Sequence, residues 1–302
     1  MKVLIIGNGF EIDAGFETRY SDFVLSKEWQ LLYQKFSPSF EVRDNLATFL
    51  YGKSKEEWFC LEESIKEYYN HKIQSKDDHF ANEDVVFFNA LKTSLENFLI
   101  VFGFPISAKE DSLADKFIEG LVKRHVFDKI YTFNYIHPIA IPSAYYNLSK
   151  PDELEYVHNY CTNHIILGIN EPVEKPYDFL CKTYDPKYPH SSIKRVLSHS
   201  TDVVIYGHSL NIIDGEYFRD YLKSLSTYDE AIGKRYLTII SKDGDSIRNI
   251  KASIEVLDIS LTDLQQYSQL TFISTDGYYN QDLRERDKVD ELFSRLISNS
   301  NK

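Results

Sequence analysis

Residues 3–6, Val-Leu-Ile-Ile, run straight into Gly7-Asn8-Gly9, in a chain that has only 12 glycines among 302 residues. A short run that is apolar at every position is the pattern of a strand buried on both faces, as in a parallel sheet. Two near-adjacent glycines at its end let the backbone turn tightly and come close to another group, and a helix starting there aims its N-terminus at an anion such as phosphate. The opening therefore predicts the first strand of an α/β sheet, with a turn at its carboxyl end shaped for a nucleotide.

The residues after this turn restrict the choice of nucleotide protein. The dinucleotide fingerprint needs a third glycine three residues after Gly9, and that position is Ile12. No acidic ribose-binding strand comes next either, because residues 21–36, 42–52, 55–70, 82–103 and 112–125 carry apolar residues largely at three- and four-residue intervals, the helical period. A hydride-transferring dehydrogenase is disfavoured. Strand patterns return at residues 127–134 (FDKIYTFN), 154–158 (LEYVH), 164–168 (HIILG), 202–207 (DVVIYG) and 236–241 (YLTIIS), alternating later with helical stretches. This predicts one Rossmann-like α/β domain over 1–302, a mostly parallel sheet with helices on both faces, and a large helical insertion at about 21–125 after the first strand.

Bulk composition narrows the partners. Lys and Arg number 34 against 46 Asp and Glu, and the net charge of -12 opposes attraction to phosphate backbones, so nucleic acid is an unfavoured partner. Cys60, Cys161 and Cys181 form no CxxC pair and suit reduced thiols, so the expected compartment is the cytoplasm. The N-terminal apolar run is too short for a signal peptide, and the longest apolar stretch, FLIVFGF, is too short for a membrane helix.

In open α/β sheets ligands bind beyond the carboxyl ends of the strands, so the strand ends hold the candidate residues. Besides Gly7, Asn8, Gly9, Phe10 and Glu11 at the first turn, Asn134 comes after the strand YTF and offers an amide that can hydrogen-bond a ribose hydroxyl or a water. His158 stands where an imidazole could act as general base near neutral pH. Gly207-His208-Ser209 presents backbone N–H groups and a hydroxyl to a phosphate or ribose; with Asn211 where a nucleophile elbow needs glycine, it does not read as a serine hydrolase. The spaced His158, Cys161 and His164 lack a fourth ligand of comparable signature, so no metal is expected.

Several blocks together, GNGFEIDAGFETRYSDF, EEWFCLEESI, YTFNY and VVIYGHSLNIIDGEYF, resemble the AbiH-type abortive-infection proteins in the same order along the chain. The resemblance implies a bacterial, cytoplasmic antiphage protein. Glu11 replaces the Asp of that pattern, and His158-Asn159 replaces its His-Gly. The order of a glycine turn, an Asn, a His and a GxS turn is more distantly similar to sirtuin-like NAD-binding domains. That similarity implies NAD as substrate, with Asn134 ordering ribose and water and His158 the base that helps to break the nicotinamide glycosidic bond. The alternative is a non-enzymatic module that binds a nucleotide or a phage product and signals through a partner. The phage trigger and any homo-oligomer stay open.

Overall fold

The computed structural model describes residues 1–36, 44–56, 60–76, 78–102, 111–136, 153–227 and 233–298. Trp58, part of the second resembling block, lies outside the described residues, as do residues 299–302 at the tail. The chain divides into two compact units, Met1–Phe16 with Pro105–Val157 and His190–Lys302, and Glu17–Phe104 with His158–Pro189.

The first unit is built on six parallel strands, β1 (Lys2–Ile6), β2 (Lys129–Thr132), β3 (Leu154–Tyr156), β4 (Asp202–Tyr206), β5 (Tyr236–Ser241) and β6 (Gln269–Ser274), in the order β3-β2-β1-β4-β5-β6. This is the doubly wound order, whose topological switch lies between β1 and β4. The α/β reading with a mostly parallel sheet holds. Two details differ from the sequence expectation. Residues 164–168 join no strand of the sheet: Ile166 N–H donates to the His158 carbonyl, and Ile169 N–H to that of Leu180. Their run of apolar residues reflects burial, which a strand and a packed loop share. Conversely β6 escapes the pattern because it is an edge strand, half-buried along most of its length and set between two helical stretches.

Alternate strand residues explain why helices cover both sheet faces. Val3, Ile5, Tyr131, Val203, Ile205, Leu237 and Ile239 share one apolar cluster with residues from α8 (Ile193–Ser198), α9 (Gly215–Leu225), α10 (Gly244–Val256) and α11 (Leu261–Tyr267). Tyr206 projects to the other face, where its ring meets Phe10 of α1 (Asn8–Asp13) at 5.0 Å and Phe117 of α7 (Leu113–Phe117) at 5.2 Å. Phe117 in turn meets Phe293 of α13 (Leu283–Ser298) at 5.1 Å. Asp13 ties that face together. Its carboxylate accepts from Tyr206 Oη at 2.8 Å, from Ala114 N–H at 2.9 Å and, at 2.8 Å, from the Oη of Tyr279 in α12 (Thr275–Tyr279).

The second unit carries α2 (Tyr20–Leu25), α3 (Lys27–Phe36), α4 (Leu46–Lys53), α5 (Leu61–Ser75) and α6 (Ala81–Phe102), together with the irregular segment 158–189. The helical stretch expected at about 21–125 is thus divided, since α7 belongs to the first unit. Among the described residues no helix is long and apolar enough to cross a membrane.

Candidate functional site

Register brings three strand ends of the first unit together. Ile6 pairs with Thr132 on one side and Tyr206 on the other, so the loops after β1, β2 and β4 leave the sheet side by side. The ladder runs on by one residue: Gly7 N–H donates to Tyr206 O, Phe133 N–H to Ile6 O and Gly207 N–H to Ile240 O, each at 2.9 Å.

Beyond that point the glycines serve each other. Gly9 N–H donates to Gly207 O at 2.9 Å, and Phe10 N–H to Gly7 O at 3.0 Å. A Cβ on Gly9 would stand 2.7 Å from Gly207 Cα, and one on Gly7 2.6 Å from His208 Cα. A Cβ on Gly207 would stand 2.2 Å from Phe10 N, and its φ of +70° is itself one that side chains disfavour. The two turns therefore interlock backbone to backbone across the switch between β1 and β4. This contact accounts for the bare backbone at Gly7, Gly9 and Gly207. It also engages the N–H groups of Gly7, Gly9 and Phe10 within the chain, so the phosphate role expected of them has no free amides at those three positions.

His208 is buried beside this lock, at 6% exposure. Its Nδ1 accepts the Leu210 N–H at 3.0 Å, which places the ring proton on Nε2, 3.6 Å from Asp214 Oδ2. The ring sits edge-on to Phe133 at 4.4 Å and tilts against Phe218 at 5.1 Å. With both nitrogens directed at protein groups, His208 clamps the β4 turn. Ser209, next in the chain, is exposed, and Glu11 is buried in the first turn of α1.

Asn134 differs from these. It is 5% exposed, its backbone N–H donates to Thr132 Oγ1 at 3.1 Å, and its side-chain Nδ2 has no hydrogen-bond partner among the described residues. Leaving a buried amide donor unsatisfied costs roughly 1–3 kcal/mol. A group that carries this cost at the carboxyl end of a strand beside the topological switch is where a ligand oxygen would be received.

His158 begins the second unit's segment 158–189. It is 3% exposed, and Lys182 Nζ lies 3.3 Å from its Nε2. Lys182 also pairs with Glu62 Oε1 at 2.9 Å. His164 has separate partners: its Nε2 is 3.0 Å from Asp185 Oδ2, to which Lys92 Nζ donates at 2.8 Å. Among the described residues no three His, Cys, Asp or Glu side chains group as metal ligands would. Lys182 escaped the sequence reading, while Glu62 and Asp214 stood inside the blocks EEWFCLEESI and VVIYGHSLNIIDGEYF without being singled out as site residues. Lys182 lies in a polar run, CKTYDPKY, with no periodic or motif signal, and its burial is a tertiary fact.

Burial pushes the Asp185 carboxyl up, but the Lys92 hydrogen bond, the Lys187 N–H, His164 and the Lys92 charge outweigh it and hold the group below its ordinary value of 3.8. A depressed carboxyl contributes stability that is present above its unfolded value and lost as pH falls through the folded one. Asp185→Asn is therefore expected to flatten the acid side of the urea-midpoint profile below about pH 4. An unchanged acid limb would show that the pair adds no net stability.

Two open grooves, one of about 850 Å³ beside Lys116, Arg124, Tyr278 and Phe293 and one of about 770 Å³ beside Leu31, Lys35, Asn97 and Val101, contain none of the sequence-predicted site residues. In comparisons with known proteins, the family model described as bacteriophage abortive infection AbiH matches residues 3–232. No curated protein and no solved structure matches the chain.

Proposed function

The chain belongs to the bacteriophage abortive infection AbiH family, and from that premise we propose that this phage-defence protein acts through a nucleotide received at the carboxyl edge of β1, β2 and β4. The observation that carries the reading is the buried Asn134 amide, whose Nδ2 has no acceptor among the described residues. A ribose hydroxyl supplies one, and the Ser209 hydroxyl, exposed on the turn after β4, is the proposed contact for the rest of the ligand. The proposed setting is the bacterial cytoplasm, with a phage product as trigger.

The proposed ligand is NAD, and the proposed chemistry is its hydrolysis. The bond between ribose C1′ and the nicotinamide nitrogen breaks, its electron pair stays with nicotinamide, and the water oxygen joins C1′. Asn134 orients ribose and water, and a base takes the proton that water loses. The hydrolytic reading takes His158 for that base from its place in the order of the sequence blocks alone. One observation favours a second reading, binding without turnover: the His158 Nε2 faces the Lys182 ammonium and not an open proton acceptor's position.

The experiment tracks free nicotinamide from NAD with the purified full chain, alone and with phage lysate, beside the thermal shift that NAD produces. Asn134→Ala is expected to leave the ligand-free melting temperature unchanged or raised, since it removes an unsatisfied donor, and to weaken NAD binding by about tenfold, the worth of one hydrogen bond. A full NAD-induced shift in Asn134→Ala would sink the site. Nicotinamide release in the wild type that disappears in His158→Ala supports hydrolysis; a thermal shift with no release in either condition supports binding alone.

A further inference from the structure

Within the second unit α3 and α6 pack antiparallel, with Ser94 Oγ donating to the Glu28 carbonyl at 2.9 Å and the Phe36 and Phe87 rings 5.3 Å apart. The groove of about 770 Å³ runs between them. Its apolar rim is open: Leu31 is 54% exposed, Ile100 40% and Val101 61%. From Val86 to Val101 the exposed positions of α6 are Val86, Asn89, Thr93, Asn97, Ile100 and Val101, and none is charged. In a chain with 26% charged residues, a helix face that meets only water is where charges gather. An uncharged stripe beside exposed apolar side chains is instead the composition of an interface centre.

The charges line the α3 side of the groove, and their order selects the occupant. Glu28, Leu31 and Lys35 follow one another at intervals of three and four residues, so they share one face of α3. The carboxylate and the ammonium stand two turns apart, about 10 Å along the axis, too far to pair with each other. Among the described residues neither has an ion-pair partner, and Lys35 Nζ rests over the Phe36 ring at 5.3 Å. A second copy of α3 laid antiparallel on the first brings Glu28 of each chain to Lys35 of the other, with Leu31 against Leu31 between the two pairs. A parallel copy sets like charges together instead.

We propose that the α3–α6 face is a two-fold interface between two copies of this chain, centred on Leu31 and held in register by reciprocal Glu28–Lys35 pairs. It is independent of the nucleotide reading, because none of the residues assigned to that site lies on either helix. The apolar side chains supply the attraction, and the charges fix the orientation. One helix pair from each copy makes a small interface, so the association is expected to be weak enough to vary with concentration in the micromolar range.

Sedimentation velocity of the full chain over a concentration series at low ionic strength tests this, with circular dichroism to confirm that each variant folds. The wild type is expected to pass from monomer to dimer as concentration rises. Leu31→Glu sets two carboxylates against each other at the centre and is expected to leave a monomer throughout the series. Glu28→Lys and Lys35→Glu each bring like charges together twice across the two-fold and are expected to weaken association about tenfold. An equimolar mixture of these two variants is expected to dimerise again, since each then meets the opposite charge on the other chain. A wild type that is monomeric at every concentration overturns the inference and leaves the face to another protein or to another segment of this chain. A dimer that survives Leu31→Glu overturns it as well, because the copies would then meet elsewhere. Charge variants that associate as the wild type does, or a mixture that gains nothing over its components, overturn it too, because the reciprocal pairs would not exist.

Discussion

Gly207→Ala is expected to lower the stability of the protein by about 2–5 kcal/mol, the sum of a left-handed backbone penalty and overpacking against a fixed neighbour. The added Cβ would stand 2.2 Å from Phe10 N and 2.6 Å from Gly9 Cα, and backbone on an adjacent turn cannot swing aside as a side chain can. The Gly9–Gly207 hydrogen bond lies in the same contact, so relieving the clash breaks it. Gly233 provides the comparison: its φ is +73°, yet among the described residues nothing lies within 4 Å of the Cβ it would gain. Gly233→Ala should cost only the left-handed term, about 1–2 kcal/mol. Denaturant unfolding monitored by circular dichroism measures both. Equal losses in the two variants would mean that the interlocked turns add nothing.

Removing one partner of the buried pair in the second unit has an effect of similar size. Lys182→Met leaves the Glu62 carboxylate without its ammonium, and breaking a buried pair costs about 3–5 kcal/mol. The penalty belongs to the stranded charge, so it should be relieved when the other charge is removed too. Glu62→Leu combined with Lys182→Met is expected to recover most of the loss, because replacing a buried ion pair by apolar side chains is often neutral. A thermodynamic cycle over the two single variants and the double one reads this directly. Additive losses would show that the two charges do not depend on each other in the folded state.

Much of the sheet was legible because the signals for its strands are local. The apolar runs at Val3–Ile6, Asp202–Tyr206 and Tyr236–Ser241 become β1, β4 and β5 with nearly the expected bounds. Stretches with a three- to four-residue period become α9, α10 and α13 for the same reason. Residues 164–168 mislead because consecutive apolar residues signal burial without saying what their backbone amides bond. The candidate site was legible in part. Gly7, Asn134 and Gly207 are strand-end residues, and a parallel register carries such residues to one edge. The partners of the buried ionisable groups were not legible. Lys182 for His158 and Glu62 for Lys182 are contacts between segments distant in the chain, and Asp214 for His208 depends on how the loop after β4 folds back.

The amino-acid sequence by itself determines an α/β chain whose glycine pair closes the first strand, and its ordered blocks mark the AbiH family, since apolar period and motif order are properties of neighbours along the chain. Only the tertiary structure decides what the glycines are for. The close approach they permit is made by Gly207 at the end of β4, because the parallel pairing of β1 with β4 sets the two turns against each other. It likewise decides that His208 clamps a turn while the buried Asn134 Nδ2 finds no acceptor among the described residues. Hydrogen bonds are made by whichever atoms the packed core brings within about 3 Å of one another, and that distance is a property of the whole fold.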